Sequence, residues 1–509
     1  MIKLNESHKN ISMANTKTDN TPTTTFSATG ADEDVVVTPW SVSSKNGIDY
    51  MKLISKFGCD PIDGELIKRF ERVTRMRAHT WLRRGLFFSC KDLTRILDDF
   101  EAGRPIYLYT GRGPSSESMH LGHMVPFMFT AYLQRAFNAV LVVQMSDDEK
   151  FAFKGIDEGK TLEHYNRLTF ENAKDIIACE FDSERTLIFS NQNTLGGELY
   201  DNAMRINARF SGNAIRSIYG LDLDRKVAQI AWPGFQCAPA YSNSFADILH
   251  PRSDPSNVYS PELPDGTSRY IGPHMSCLVP MAIDQRPYFA MSRDFVDKFK
   301  VKGSQFIKPC EIHSEFLPAL AGVSAKMSSS TGGEVIFLTD TAKQIKKKIN
   351  RGAFSGGKET VELHQRYGGN LENDVAYQYM LYFNEDDVEM AQIANDYRSG
   401  KMLTGQIKKR MIECVCEFVE RHQANRAKVT DDVLRHFFNR NRAFDLSREE
   451  REPLELHADE VYAGYGINFD RTFGAVAPEG ALEYEEKLMR EMFERDAAES
   501  AAAAGAGSA

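Results

Sequence analysis

From Pro105 onward the chain alternates short apolar runs with longer stretches of helical spacing, and this alternation constrains its fold more than any other feature. Ile106–Tyr109, Val140–Met145, Thr186–Phe189 and Ser276–Ile283 read as strands, and Met124–Phe137, Leu162–Cys179 and Gly197–Phe210 as helices. Strands joined through helices pair in parallel with right-handed crossovers, so the pattern predicts an α/β fold with a doubly wound parallel sheet.

Around this sheet the organisation changes with composition. Residues 1–34 are rich in Thr, Ser and Asn, bring little to bury, and are expected to be a disordered extension. Residues 35–104 read as an ordered lead-in packed on a catalytic domain at 105–340, with helical spacing from Gly64 to Arg77. Within the latter, 250–272 is a Pro/Ser/Asp/Gly-rich stretch expected as an exposed loop. Helical periodicity dominates 341–442, broken at Gly352–Gly357 and Gly368–Gly369, which predicts a smaller all-helical domain. Residues 443–509 form an acidic extension with a helix expected at Leu482–Arg495.

Charge and cysteine usage narrow the function classes. The net charge of −9 is uneven: 443–509 holds 16 acidic and 6 basic residues, whereas 343–442 holds 18 basic and 14 acidic. A local phosphate-binding surface is therefore compatible with the acidic total. The eight cysteines show no Cys-x-x-Cys pair, which fits reduced thiols better than disulfides or a structural metal. The apolar runs are too short for a bilayer span, so no membrane association is expected.

Two segments carry chemistry. Thr110-Gly111-Arg112-Gly113-Pro114 leads into His120-Leu121-Gly122-His123 between a strand and a helix, and Lys326-Met327-Ser328-Ser329-Ser330 lies beyond the last expected strand. The glycines admit backbone to a nucleotide, His120 and His123 can donate to phosphate oxygens at a helix start, and Lys326 adds a point charge beside hydroxyls. Singly, each has a blander meaning: a tight turn, a satisfied helix-start pair, a solvated linker. Their order about the strands makes them the halves of an ATP clamp.

That combination resembles the signature pair of class I aminoacyl-tRNA synthetases. Tyr107–Glu117, Gln144–Lys150, Ala282–Gln285 with Pro287–Phe289, and Phe337–Lys346 are similar to the eukaryotic cytosolic type of tryptophanyl-tRNA synthetase, over roughly Thr38–Arg442. The resemblance implies a Rossmann-like catalytic domain followed by a helical anticodon-binding domain. It implies a ligase that activates L-tryptophan with ATP and transfers it to tRNA(Trp), with Mg²⁺ accompanying ATP and a homodimer as the assembly.

By matching positions, the resemblance implies His120, His123, Lys326, Ser328 and Ser329 as catalytic, and Gly111, Arg112, Gly113, Gly122 and Met327 as ATP-binding. It implies Tyr109 and Gln144 at the indole N–H, Glu149, Gln236 and Gln285 at the ammonium, Lys150 at the carboxylate, and Phe289 in the same pocket. Without it, Tyr109 and Phe289 would read as core, and Asp147–Lys150 as a solvated charge run. Lys358 is the implied tRNA contact, and the compartment is the cytoplasm, with dual or organellar targeting left open. Ser329 stands where many class I enzymes carry a second lysine, so pyrophosphate should lean on Lys326. Three alternatives stay open: a tyrosyl-tRNA synthetase, a nucleotidyltransferase on the same fold, and a catalytically silent synthetase-like binding protein.

Overall fold

The computed structural model describes residues 35–37, 42–44, 49–222, 224–299, 305–327, 335–488, 490 and 494; for 35–37, 42–44 and 324–326 it describes backbone alone. At its centre is a seven-stranded sheet. Its strands are β1 (Asp60–Pro61), β2 (Phe87–Lys91), β3 (Ile106–Arg112), β4 (Val140–Met145), β5 (Thr186–Ser190), β6 (Ser276–Ala282) and β7 (Cys310–Ser314). Their spatial order is β1-β2-β7-β6-β3-β4-β5. All neighbours from β7 to β5 pair in parallel, while β2 and β1 add antiparallel strands at the β7 edge. The lead-in thus extends the sheet itself.

Side-chain alternation sorts the sheet into two cores. Leu108, Leu141, Val143 and Ile188 face a core that includes α1 (Leu121–Phe137), whereas Tyr107, Tyr109, Val142, Leu187 and Phe189 face another that includes Trp232 and Phe289. The first core runs on without a break into the helices Val375–Phe383 and Thr404–Arg426, through Tyr377, Leu381 and Val415. The chain order leaves β3 with β4 on one side and β6 on the other. It is the switch point of the doubly wound sheet, beyond whose strand C-termini ligands bind.

Past β7, the hairpin Pro318–Ala319/Gly322–Lys326 leads to a segment that crosses the start of α1. There Leu121 N–H donates to the Ile336 carbonyl at 3.2 Å and Leu338 N–H to the Met119 carbonyl at 2.9 Å. The helical domain opens at Ala342–Gly352, where Thr341 and Gln344 form a reciprocal capping box. Its breaks fall in the two expected glycine stretches, with Gly368 at a φ of 68°.

Residues 250–272 form the exposed loop expected of them, whereas 443–488 takes a form that the sequence did not indicate. Residues 250–272 lack regular structure yet are pinned: the His250 and Tyr270 rings stack at 3.9 Å and Tyr270 N–H donates to Glu198 at 2.9 Å. More consequential is 443–488, which wraps the protein as a strap. Arg451 donates to the Ala136 carbonyl at 2.8 Å, and buried Tyr462 donates to Glu71 at 2.6 Å. Arg471 forks onto Glu315 at 2.7 and 2.8 Å and also donates to the Gly85 carbonyl at 2.8 Å. Tyr377 in turn donates to the Arg471 carbonyl at 2.7 Å, which ties strap, sheet and helical domain together. Residues 481–488 are helical, and much of the remaining C-terminal stretch, including 495, lies outside the described residues.

Candidate active site

At the carboxyl ends of β3, β6 and β7 a cavity of about 350 Å³ opens beside the start of α1. Its walls carry Tyr109, Gly111, Arg112, His120, Gly122, His123, Lys150, Gln236, Gln285, Phe289 and Met327, so residues spread over more than two hundred positions converge on one space. Ser328, Ser329 and the side chain of Lys326 lie outside the described residues.

The helix start sets the two histidines. His120 is the N-cap of α1, and its backbone N–H donates to His123 Nδ1 at 3.3 Å, with the rings stacked at 3.4 Å. A ring nitrogen that accepts from backbone leaves a neutral imidazole protonated on Nε2, ready to donate to an oxygen. A Cβ on Gly122 would lie 3.3 Å from the His120 ring, a tight approach, so glycine gives that ring its room, while Met327 at 3.6 Å would be in ordinary contact. Met327 N–H donates to the Leu317 carbonyl at 2.9 Å and anchors that loop to the wall.

Arg112 is held in the wall by a long contact to Asn172 Oδ1 at 3.4 Å, while its buried Nη2 makes no hydrogen bond among the described residues. Burial pulls its pKa down to about 10, with Glu149 and Asp175 opposing the drop, so it is cationic at neutral pH. A guanidinium in a cavity wall with a donor left over suits an anion such as phosphate.

Opposite lies the charge run, folded as a turn of helix over Asp147–Lys150 and then a π-helix over Phe151–Gly155. It is not a solvated face. Asp147 is fully buried, accepting from Ser190 Oγ at 2.6 Å and Asn166 at 3.1 Å. Burial also pushes the Asp148 carboxyl up to about 6, against the pull of donors on Asn191 and Trp232. Glu149 and Lys150 pair at 2.8 Å and set opposite charges side by side, the complement of an amino-acid zwitterion. Gly113 is packed over this pair: a Cβ there would fall 2.3 Å from Lys150 Cε and 2.7 Å from Glu149 Oε2.

Tyr109 and Gln144 make the most specific polar arrangement. The Tyr109 hydroxyl lies 2.7 Å from Gln144 Oε1 and 2.8 Å from the Gln236 carbonyl. Gln144 Nε2 donates to Asn191 at 2.9 Å and to the Phe235 carbonyl at 3.0 Å, which fixes the amide with its oxygen toward Tyr109. One O–H thus meets two acceptors, so acceptor capacity is left over for a ligand donor. Burial raises the Tyr109 phenol well above its usual range, keeping it neutral. Gln144 itself is 1% exposed and stands behind Tyr109 rather than on the wall. The Phe289 ring, centred 5.9 Å from that of Tyr109, supplies an apolar flank.

Lys358 is the residue the fold does not bring near. It lies on the helical domain with a side chain 4% exposed and paired with Glu485 at 2.7 Å. Sequence reasoning also passed over Asn191, Lys154 and Glu315. Lys154 and Glu315 line the cavity, and Asn191 orients Gln144 from the far end of β5. Lys154 lies four residues beyond Lys150, the end of the charge run, a helical spacing that could have flagged it. Asn191 and Glu315 carry no such signal. Among the described residues no group of three or more His, Cys, Asp or Glu could hold a metal, and no helix is long and apolar enough to cross a membrane.

Comparison with known proteins agrees with this geometry. A family described as "tRNA synthetases class I (W and Y)" matches residues 101–420. The chain is 46% identical over 424 residues to the cytoplasmic tryptophan–tRNA ligase of Homo sapiens, covering 82% of this chain and 84% of that protein. The corresponding mouse protein, from Mus musculus, is 47% identical over 414 residues, covering 81% and 80%. Among solved structures, the tryptophanyl-tRNA synthetase of Plasmodium falciparum superposes with a TM-score of 0.67 at 42% identity, covering 77% of this chain and 98% of that one. With that extent of likeness on a sheet whose switch point carries the His-x-Gly-His helix start, the chain belongs to the class I aminoacyl-tRNA synthetases, among the tryptophan–tRNA ligases.

Proposed function

We propose that this chain joins L-tryptophan to tRNA(Trp) in two steps within the cavity at the β3 switch point. In the first, a tryptophan carboxylate oxygen attacks the α-phosphorus of ATP, the bond to the bridging oxygen breaks, and pyrophosphate leaves. In the second, a ribose hydroxyl of the terminal adenosine attacks the adenylate carbonyl and AMP leaves. The protein makes no covalent bond, so its contribution is position and charge.

The observation that carries the substrate is the surplus of acceptors at Tyr109. An indole N–H donating to Tyr109 Oη, while that hydroxyl donates onward to Gln144 Oε1, pairs the indole donor and leaves the Gln236 carbonyl as the spare acceptor. Phenylalanine has no such donor. Gln144 acts here through Tyr109. Glu149 takes the ammonium with Gln236 and Gln285, Lys150 takes the carboxylate, and Phe289 flanks the ring. His120 and His123 donate to phosphate oxygens, Arg112 adds its buried charge, Gly111, Gly113 and Gly122 admit the nucleotide, and Met327 seats the loop. Lys326, Ser328 and Ser329 complete the pyrophosphate side. Lys154, exposed on the opposite wall, offers the second ammonium that the Lys-Met-Ser-Ser-Ser segment lacks.

Mg²⁺ enters with ATP as the counter-ion of its phosphates and lowers their charge. The reaction belongs in the cytoplasm and the working unit is a homodimer, in keeping with relatives named as cytoplasmic. Lys358 and its surroundings on the helical domain contact the tRNA.

Pyrophosphate exchange by the purified full chain, run with tryptophan, tyrosine and phenylalanine in turn, tests the substrate. Tryptophan should be preferred by about 100-fold or more, the upper end of what one buried polar group left unpaired costs. Preference for tyrosine would refute the assignment.

A further inference from the structure

The strap ends on the face of the helical domain where Lys358 lies, and the contacts there are unusual for a terminal helix. The Tyr484 ring stacks on Tyr367 with centroids 4.5 Å apart and planes 8° from parallel. The next residue, Glu485, divides its carboxylate between Lys358 Nζ at 2.7 Å and Asn370 Nδ2 at 3.1 Å. Lys358 Nζ also sits 5.6 Å from the Tyr484 ring centre, and Tyr484 OH donates to Glu359 at 3.0 Å. A flat ring on an aromatic platform, with an adjacent anion on an ammonium and an amide, has the chemistry of one nucleotide of single-stranded RNA: base stacked, phosphate neutralised.

We propose that Tyr367, Lys358 and Asn370 form a docking face for an unpaired nucleotide of tRNA, and that Tyr484 and Glu485 of the chain's own C-terminal helix occupy it as an intramolecular competitor. The proposal rests on the reading that the helical domain contacts tRNA; what it adds is the occupant and the exchange between the two. The charge pattern favours competition, because the segment from 443 onward carries 16 acidic residues against 6 basic, and Glu483 and Glu486 stand exposed beside the contact. An incoming phosphate is repelled until the helix leaves and is attracted by Lys358 once it has gone. The helix is attached through an ion pair, a ring stack and hydrogen bonds through Asn370 and Glu359, and its Glu483 and Glu486 are exposed, so displacement by a larger polyanion is feasible.

The test uses the full-length chain carrying Tyr484→Ala and Glu485→Ala together, with a fluorescent tRNA(Trp) transcript as probe and binding measured at several salt concentrations. The expected result is at least about five-fold tighter binding at low salt and a steeper fall of affinity with salt, because one more lysine becomes available to phosphate. Tryptophan-dependent pyrophosphate exchange, which needs no tRNA, should stay at the parent rate and so report that the variant is folded. Adding Lys358→Ala to the double variant should remove the gain. In the parent chain, amide hydrogen exchange at 481–488 should speed up when tRNA saturates the protein.

Unchanged or weaker binding by the double variant overturns the competition. If Lys358→Ala in that background still weakens binding, tRNA docks on the helical domain without this competitor. If Lys358→Ala and Tyr367→Ala both leave binding untouched, the tRNA reading of this face falls with it. Unaltered hydrogen exchange at 481–488 on tRNA saturation also overturns the competition.

Discussion

Gln144 never reaches the cavity wall, yet it decides what Tyr109 can accept. Its side-chain nitrogen is committed to Asn191 and the Phe235 carbonyl, so its oxygen must point at the tyrosine. Gln144→Ala frees the Tyr109 proton to settle on the Gln236 carbonyl and leaves the hydroxyl less fixed as an acceptor. The preference for tryptophan over phenylalanine, measured as the ratio of kcat/KM in pyrophosphate exchange, should drop by roughly ten-fold, the worth of about one hydrogen bond. An unchanged ratio would remove Gln144 from the indole assignment.

Asp148 offers a second test at the same scale. Burial pushes its carboxyl up to about 6 from an ordinary value near 3.8, so the folded protein holds this proton more tightly than the unfolded chain does. Stability from that proton is present in full below pH 3.8 and is lost as pH rises through about 6. Asp148→Asn has no charge to bury. In urea unfolding it should gain on the parent between pH 4 and pH 7.5, reaching about 1–3 kcal/mol at the upper end. An equal difference at both pH values would show that the carboxyl is not strained by burial.

At the scale of elements, the parts that were legible in the sequence are those with a period. Val140–Met145 is buried at every position and apolar at all but Gln144 because helices cover both faces of β4, and that run marked the strand without ambiguity. The His-Leu-Gly-His start of α1 was legible because two histidines about a glycine, directly after a strand and a glycine-rich turn, form a pattern of residue types at a helix N-terminus. The strap was not. Its anchors are isolated side chains that donate to distant backbone: Arg448 to the Phe100 carbonyl, Arg451 to Ala136, Arg471 to Gly85. Such bonds have no repeat, and an acidic composition hid them. Depth within the site was equally hidden: alternation puts Tyr109 and Gln144 on strands, but only the paired register of β3 and β4, Gly111 opposite Gln144, sets one behind the other.

Arg471 is the strap's firmest attachment, since it clamps Glu315 at the cavity rim while its own carbonyl receives Tyr377. Arg471→Ala leaves Glu315, a tenth exposed, without its fork. The urea midpoint should fall by an amount equivalent to about 1–3 kcal/mol with an unchanged slope, the cost of stranding a mostly buried carboxylate. A midpoint within error of the parent would mean that the strap adds nothing to the fold.

Across the whole molecule, the first hydrophobic core runs from the sheet through α1 into the helical domain, and the strap crosses the outside of the same junction. Adenylate chemistry at the β3 switch point and any RNA held by the helical domain are therefore joined by packed side chains. The acidic balance of the chain is concentrated in the C-terminal segment and leaves the helical domain with a basic excess. What joins these parts is the transfer of tryptophan, and not another amino acid, onto tRNA. The most direct measurement is charging of tRNA(Trp) transcript by the full-length chain with labelled tryptophan or tyrosine in parallel. Tryptophan should accumulate on the tRNA in an ATP-dependent way with tyrosine at background, and either preferential transfer of tyrosine or transfer of neither would show that this chain is not a tryptophan-charging enzyme.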